Sequence, residues 1–241
     1  MLGIIIALIV SWIVLYLFEK ESILCLGFLP ISKRAKQLII GFCITAVLCV
    51  FTQISVMLLK GSSFHLSTNY SLNLLASMFW WDLRSVLTEE LVFRGALLFV
   101  LIERLGMKTG VLISAAAFGI YHWFSMGVFG NIFPMIIVFI GTGLMGYAWA
   151  LAFAKTNSIF LPIGLHLGWN FTFNTIFSKG PLGQGLLTET GGSLISDWFS
   201  LIGLWVVPLV VLLIIKYWIP TELTEQLNLK TNTSANTSNV H

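Results

Sequence analysis

The chain has 241 residues, 57% of them hydrophobic and only 10% charged, and a mean hydropathy of +0.93. Soluble domains carry about 25% charged residues, so an ordinary water-soluble globule is excluded and lipid is the expected solvent. The formal net charge of +3 is small and dispersed, without a basic patch interleaved with aromatics, which excludes nucleic acid as a partner.

Apolar runs able to cross roughly 30 Å of hydrocarbon follow one another along the chain. The first, Leu2–Phe18, lacks a basic leader and a small-residue cleavage site and reads as an uncleaved span. Further runs lie at Leu38–Leu59, Leu74–Ile102, Val111–Phe124, Ile132–Ala154, Ile159–Phe177 and Phe199–Ile215. The expectation is an all-α, polytopic transmembrane bundle of about seven helices, or eight if "ILCLGFLPI" dips into the membrane. The third run is long enough to be bent, or partly interfacial around "WWDLRS". The fourth is short and can continue into "SMGVFGN".

With the N-terminus outside, the inner connections hold Lys20, Lys33, Arg34, Lys36, Arg104, Lys108, Lys155, Lys216 and Lys230, and the outer ones only Lys60 and Lys179. That asymmetry obeys the positive-inside rule. Residues 1–220 are expected to form a single integral membrane domain, with the chemistry confined to about 74–178. Residues 221–241, ending in "TNTSANTSNVH", read as a polar, disordered tail. The connection from Ser178 to Trp198 is glycine-rich and reads as a flexible loop. Cys25, Cys43 and Cys49 have neither a CxxC spacing nor an even count, and read as small core hydrophobes.

Three polar clusters interrupt these runs. "TEELVFRG" places Glu89, Glu90 and Arg94 in the third. Glu90 and Arg94 are one helical turn apart and can pair, while Glu89 points about 100° away. A charge at the bilayer centre costs roughly 2.5–3.5 kcal/mol, and an apolar residue returns only about 0.3–0.6 kcal/mol. Three unpaired charges would therefore cancel most of the helix's insertion energy. They must pair or line a wet cavity.

The second cluster is His122 in the fourth run, one turn after Phe118, and the third is His166 with Asn170, one turn apart in "HLGWN". Taken singly, a histidine in an apolar helix is more often a hydrogen-bonded core residue, and a polar pair is often glue between membrane helices. Together, a carboxylate, two imidazoles and an amide on three spans are the parts of a water-activating site. A glutamate in apolar surroundings suits a general base near neutral pH. His122 can share or relay the proton, and His166 and Asn170 can donate to a tetrahedral oxyanion. Glu89 near the middle of a long run and His122 near the end of a short one reach the same depth only if the third helix bends or tilts. His65 and His241, in a loop and at the terminus, are set aside.

The order of "EELVFR", "FGIYH" and "HLGWN" resembles the EExxxR, FxxxH and HxxxN motifs of the CPBP family of intramembrane proteases, the CAAX protease and bacteriocin-processing, or Abi, family. The resemblance spans about eighty residues and implies a helical membrane endopeptidase. It implies Glu89 as the base that activates water with help from His122, His166 and Asn170 as oxyanion stabilisers, and Glu90 and Arg94 as structural support. It implies a peptide or protein substrate met in a bacterial cell membrane: a small peptide, a bacteriocin or pheromone precursor, or a CAAX-type tail. A non-catalytic membrane immunity protein and a proton-coupled transporter are the rival readings, since intramembrane charges also mark ion paths. No cofactor is expected, because Asn170 is a poor zinc ligand and one glutamate would have to serve as both ligand and base. The alternative is a zinc ion on Glu89, His122 and His166.

Overall fold

The computed structural model describes residues 2–195 and 197–222, so the expected tail falls almost wholly outside the described residues, as does His241. Among the described residues the helices are α1 (Leu2–Glu19), α2 (Ile31–Lys60), α3 (Leu72–Phe93), α4 (Ala96–Leu105), α5 (Met107–Ser125), α6 (Ile132–Thr156), α7 (Phe160–Asn170) and α8 (Asp197–Trp218). A π-helical turn, Phe171–Ile176, follows α7, and two short strands, β1 (Ser62–Leu66) and β2 (Leu187–Gly191), complete the fold. It is an all-α bundle with one small antiparallel ribbon, in which Phe64 faces Glu189.

Two departures from the expected elements bear on the site. The third apolar run is not one helix: it breaks at Arg94–Gly95, between α3 and α4. Hydropathy stays high across the break, so composition conceals it. The break puts Glu89 and Glu90 close to the C-terminal end of α3, as His122 is to that of α5, and Glu89 and His122 line one cavity. The expected flexible loop after Ser178 instead contains β2, because residues 187–191 pair with 62–66 from the far end of α2.

By length and composition α2 and α6 are apolar and long enough to cross a membrane, and α1 and α8 carry shorter apolar stretches. The interrupted run and its charges keep α3 and α4 outside that class. Large apolar side chains of α2, such as Val47, Phe51 and Leu58, face outward. The "ILCLGFLPI" segment forms a single 3-10 turn, Ile23–Leu26, whose Leu26 is buried and accepts a hydrogen bond from the Ile159 N–H at 3.1 Å.

Helix α7 is almost entirely buried and packs along α2. Gly164 and Gly168, four apart on one face, let the two backbones meet: a Cβ at either would run into the Leu38 or Phe42 carbonyl. This is the small-xxx-small device of membrane helices. Thr45 adds a hydrogen bond to the Leu165 carbonyl at 2.6 Å. Helix α6 packs against α5 and α8, and the site lies where α3, α5, α6 and α7 converge.

The basic residues tie helix ends together. Arg104 reaches Glu19 and the Phe18 carbonyl, Arg34 reaches the Thr156 carbonyl and Glu222, and Lys155 reaches the Ile215 and Lys216 carbonyls. At the ribbon, the Glu189 carboxylate receives Ser62 at 2.5 Å, Lys60 at 3.3 Å and Lys179.

Candidate active site

Glu90 is the hinge of the site. Its side chain is fully enclosed, and one oxygen, Oε1, receives both the Arg94 Nη1 at 3.1 Å and the His166 Nδ1 at 2.8 Å. The i,i+4 pair expected from the sequence is present, and it extends to a partner on α7 that helical spacing could not supply. Because a carboxylate accepts, the His166 proton on that side sits on Nδ1. Nε2 is left 3.9 Å from Glu89 Oε2.

Arg94 is fully buried and points back into the bundle from the break. Its guanidinium stands 4.0 Å from the Phe118 ring centroid and 5.1 Å from that of Trp149, and Nη2 donates to the Gly146 carbonyl at 3.3 Å. Gly146 is what admits it: a Cβ there would lie 3.0 Å from Phe118 and 3.1 Å from Nη2. A buried guanidinium needs an anion and polarisable faces, and it has both. The Phe118 of "FGIYH" is thus part of the charge's enclosure, a role the sequence did not reveal.

Trp149 also stacks on His166, with ring centroids 4.1 Å apart and planes within 22°. Held by Glu90 on one edge and Trp149 on one face, the imidazole has little freedom. Trp149 has no motif signal, since one more tryptophan in an apolar helix looks like core.

Glu89 is largely buried as well, but its partners are weaker. Its contacts are the Ser85 hydroxyl, donating at 3.4 Å, and the His166 edge. His122 donates from Nδ1 to the Phe118 carbonyl at 2.8 Å, which leaves its Nε2 as an acceptor. Asn170 is half-buried and ends α7. Glu89, His122, His166 and Asn170 all line one cavity of about 410 Å³, beside Trp149 and Phe118. Glu89 also borders a second cavity of about 350 Å³ on the side of α1, with Arg84 and Tyr121.

Each residue expected to carry chemistry therefore reaches this place, with Glu90 and Arg94 behind it. Their atoms suit different tasks. In its neutral form His166 offers a lone pair from Nε2, and only the imidazolium donates there. The Asn170 amide donates in any state. Among the described residues no three His, Cys, Asp or Glu side chains are grouped to hold a metal ion.

The family model for Rce1-like type II CAAX prenyl endopeptidases matches residues 71–172, from the cap of α3 into the π-helical turn. No curated protein and no solved structure matches the chain. The matched segment contains Glu89, Glu90, Arg94, His122, His166 and Asn170, and over this segment the chain is similar to the Rce1-like CAAX protease family.

Proposed function

We propose that this protein is a multi-pass intramembrane endopeptidase that cleaves a peptide bond with water activated by Glu89, in a bacterial cell membrane. The convergence of Glu89, His122, His166 and Asn170 on one cavity carries the reading. The Glu89 carboxylate takes a proton from water as the oxygen adds to the scissile carbonyl carbon. The His122 Nε2, bare because Nδ1 is committed to Phe118, accepts the second water hydrogen bond and aims the attack. The Asn170 amide donates to the developing oxyanion. As the tetrahedral adduct collapses, the C–N bond breaks and the Glu89 proton passes to the leaving amine. Glu90 keeps His166 oriented and neutralises Arg94. The substrate is a small peptide precursor or a CAAX-type tail.

The reaction in this proposal uses no metal: Glu89 serves as the base, and Asn170, a poor zinc ligand, serves as an oxyanion donor. The test is cleavage of a mixed-sequence, internally quenched peptide pool by the purified protein in detergent, with and without chelator. Cleavage should persist in chelator and vanish in Glu89→Gln. Ion flux in liposomes without cleavage would replace the reading by transport. Activity lost with chelator and restored by stoichiometric zinc would overturn the metal-free step.

A further inference from the structure

Asp82 stands in the middle of α3, is wholly enclosed, and has no part in the chemistry above. A carboxylate in an apolar helix is costly to bury, and leucine would fill the same space without that cost. Its two oxygens are both occupied by one neighbouring turn. Asn174 Nδ2 donates to Oδ1 at 2.6 Å, and Thr175 Oγ1 donates to Oδ2 at 3.1 Å. Consecutive residues of an α-helix point about 100° apart; the π-helical turn Phe171–Ile176 brings both onto one carboxylate.

That turn begins at the residue after Asn170. It is braced on its other side by the Leu186 N–H, which donates to the Thr175 carbonyl at 2.8 Å. Gly180 lies against the Asn174 carboxamide, where a Cβ would overlap Oδ1. Asn174 lines the same cavity as Asn170 and Glu89. Asp82 and Glu89 are seven residues apart, about two turns, and so share one face of α3. A single rod thus presents the carboxylate that faces the cavity and the carboxylate that holds the end of α7. The family match stops at residue 172, so Asn174 and Thr175 lie beyond it.

We propose that Asp82 is a positioning residue: it clamps the π-helical turn to α3 and thereby fixes the Asn170 carboxamide relative to Glu89. It touches no reacting atom. A carboxylate is required because it accepts from two donors at once, whereas a carboxamide accepts through one oxygen and opposes the second donor with its own N–H groups. The kinetic consequence rests on the peptidase reading; the clamp itself does not.

The test compares full-length wild type, Asp82→Asn, Thr175→Val and the exchange Asp82→Asn with Asn174→Asp, all in detergent. The exchange re-forms the pair with donor and acceptor reversed, and the Thr175 hydroxyl still finds an acceptor. On a quenched peptide turned over by the wild type, Asp82→Asn should lower kcat at least tenfold with KM within threefold. Thr175→Val should fall between the two, and the exchange should return kcat to within threefold of wild type. Backbone hydrogen exchange across residues 171–176 should rise in Asp82→Asn and fall back in the exchange. A kcat for Asp82→Asn within twofold of wild type overturns the proposal, as does a loss of kcat that persists in the exchange when protection has returned. If the wild type shows no Glu89-dependent cleavage, the peptidase reading fails by itself. The clamp then stands on the exchange data alone, where protection of 171–176 unchanged in Asp82→Asn sinks it.

Discussion

Replacing Glu90 with glutamine keeps the shape of the side chain and removes the charge that answers Arg94. The structure sets the expected cost. Arg94 is fully buried, its neutralising anion is 3.1 Å away, and its other contacts are a backbone carbonyl and ring faces. Leaving one member of such a pair without its partner costs about 3–5 kcal/mol. For a chain of this size about 1 kcal/mol corresponds to roughly 2–4 °C in Tm. Glu90→Gln should therefore melt roughly 6–20 °C below the wild type, followed by intrinsic tryptophan fluorescence in detergent. Adding Arg94→Met removes the orphaned cation and should recover at least half of the loss. The His166 Nδ1–H can still donate to the glutamine oxygen, so the imidazole is not the main source of the change. A Glu90→Gln protein that melts within 2 °C of wild type would refute the reasoning, as would a double variant no more stable than the single one.

Gly146→Ala puts a methyl 3.0 Å from Phe118 and 3.1 Å from the Arg94 guanidinium, and overpacking of this kind costs about 1–3 kcal/mol; a drop in Tm with reduced cleavage is expected. Glu189 is pushed up by burial, but hydrogen bonds from Lys179, Ser62 and Lys60 outweigh this and hold its carboxyl down at about 2. Its folded value lies below its ordinary one, so its stabilisation is complete above about 4.5 and is lost as pH falls toward about 2. Protease resistance of the ribbon should decline over that window more steeply in wild type than in Glu189→Gln, and parallel curves would remove Glu189 as the cause.

Much of the bundle was legible because a buried or lipid-facing helix writes itself as an uninterrupted apolar run. Helices α1, α6 and α8 begin and end within a few residues of the expected runs. The break at Arg94–Gly95 was not legible, since both flanks are apolar and the glycine alone does not announce a new helix. Nor was β1–β2, whose partners are more than a hundred residues apart and whose five-residue strands are too short to announce themselves. Within the site, spacing gave the Glu90–Arg94 pair because that contact is local. It could not give the His166–Glu90 bond, the Trp149 stack or the Asp82 clamp, which depend on how α3, α6 and α7 meet. Asp82 did leave a trace: an acid in "WWDLRS" has the same need for a partner as the glutamates, and following that need would have flagged it.

Two adjacent glutamates on a helix point in different directions, and here they have different surroundings. Glu90 is bound to a cation and an imidazole; Glu89 has only the Ser85 hydroxyl at 3.4 Å and the His166 edge at 3.9 Å. A carboxylate this poorly answered costs stability, because a largely buried group without adequate partners forfeits about 1–3 kcal/mol or more. Strain of that kind persists where chemistry uses it. Glu89→Gln removes the charge and keeps the volume, so it should melt at or above the wild type, by up to several degrees, while cleavage is lost. Glu90→Gln should do the opposite on stability. If Glu89→Gln instead melts well below the wild type, Glu89 is holding the bundle together as an ion-pair partner, and its assignment as the free base fails with it.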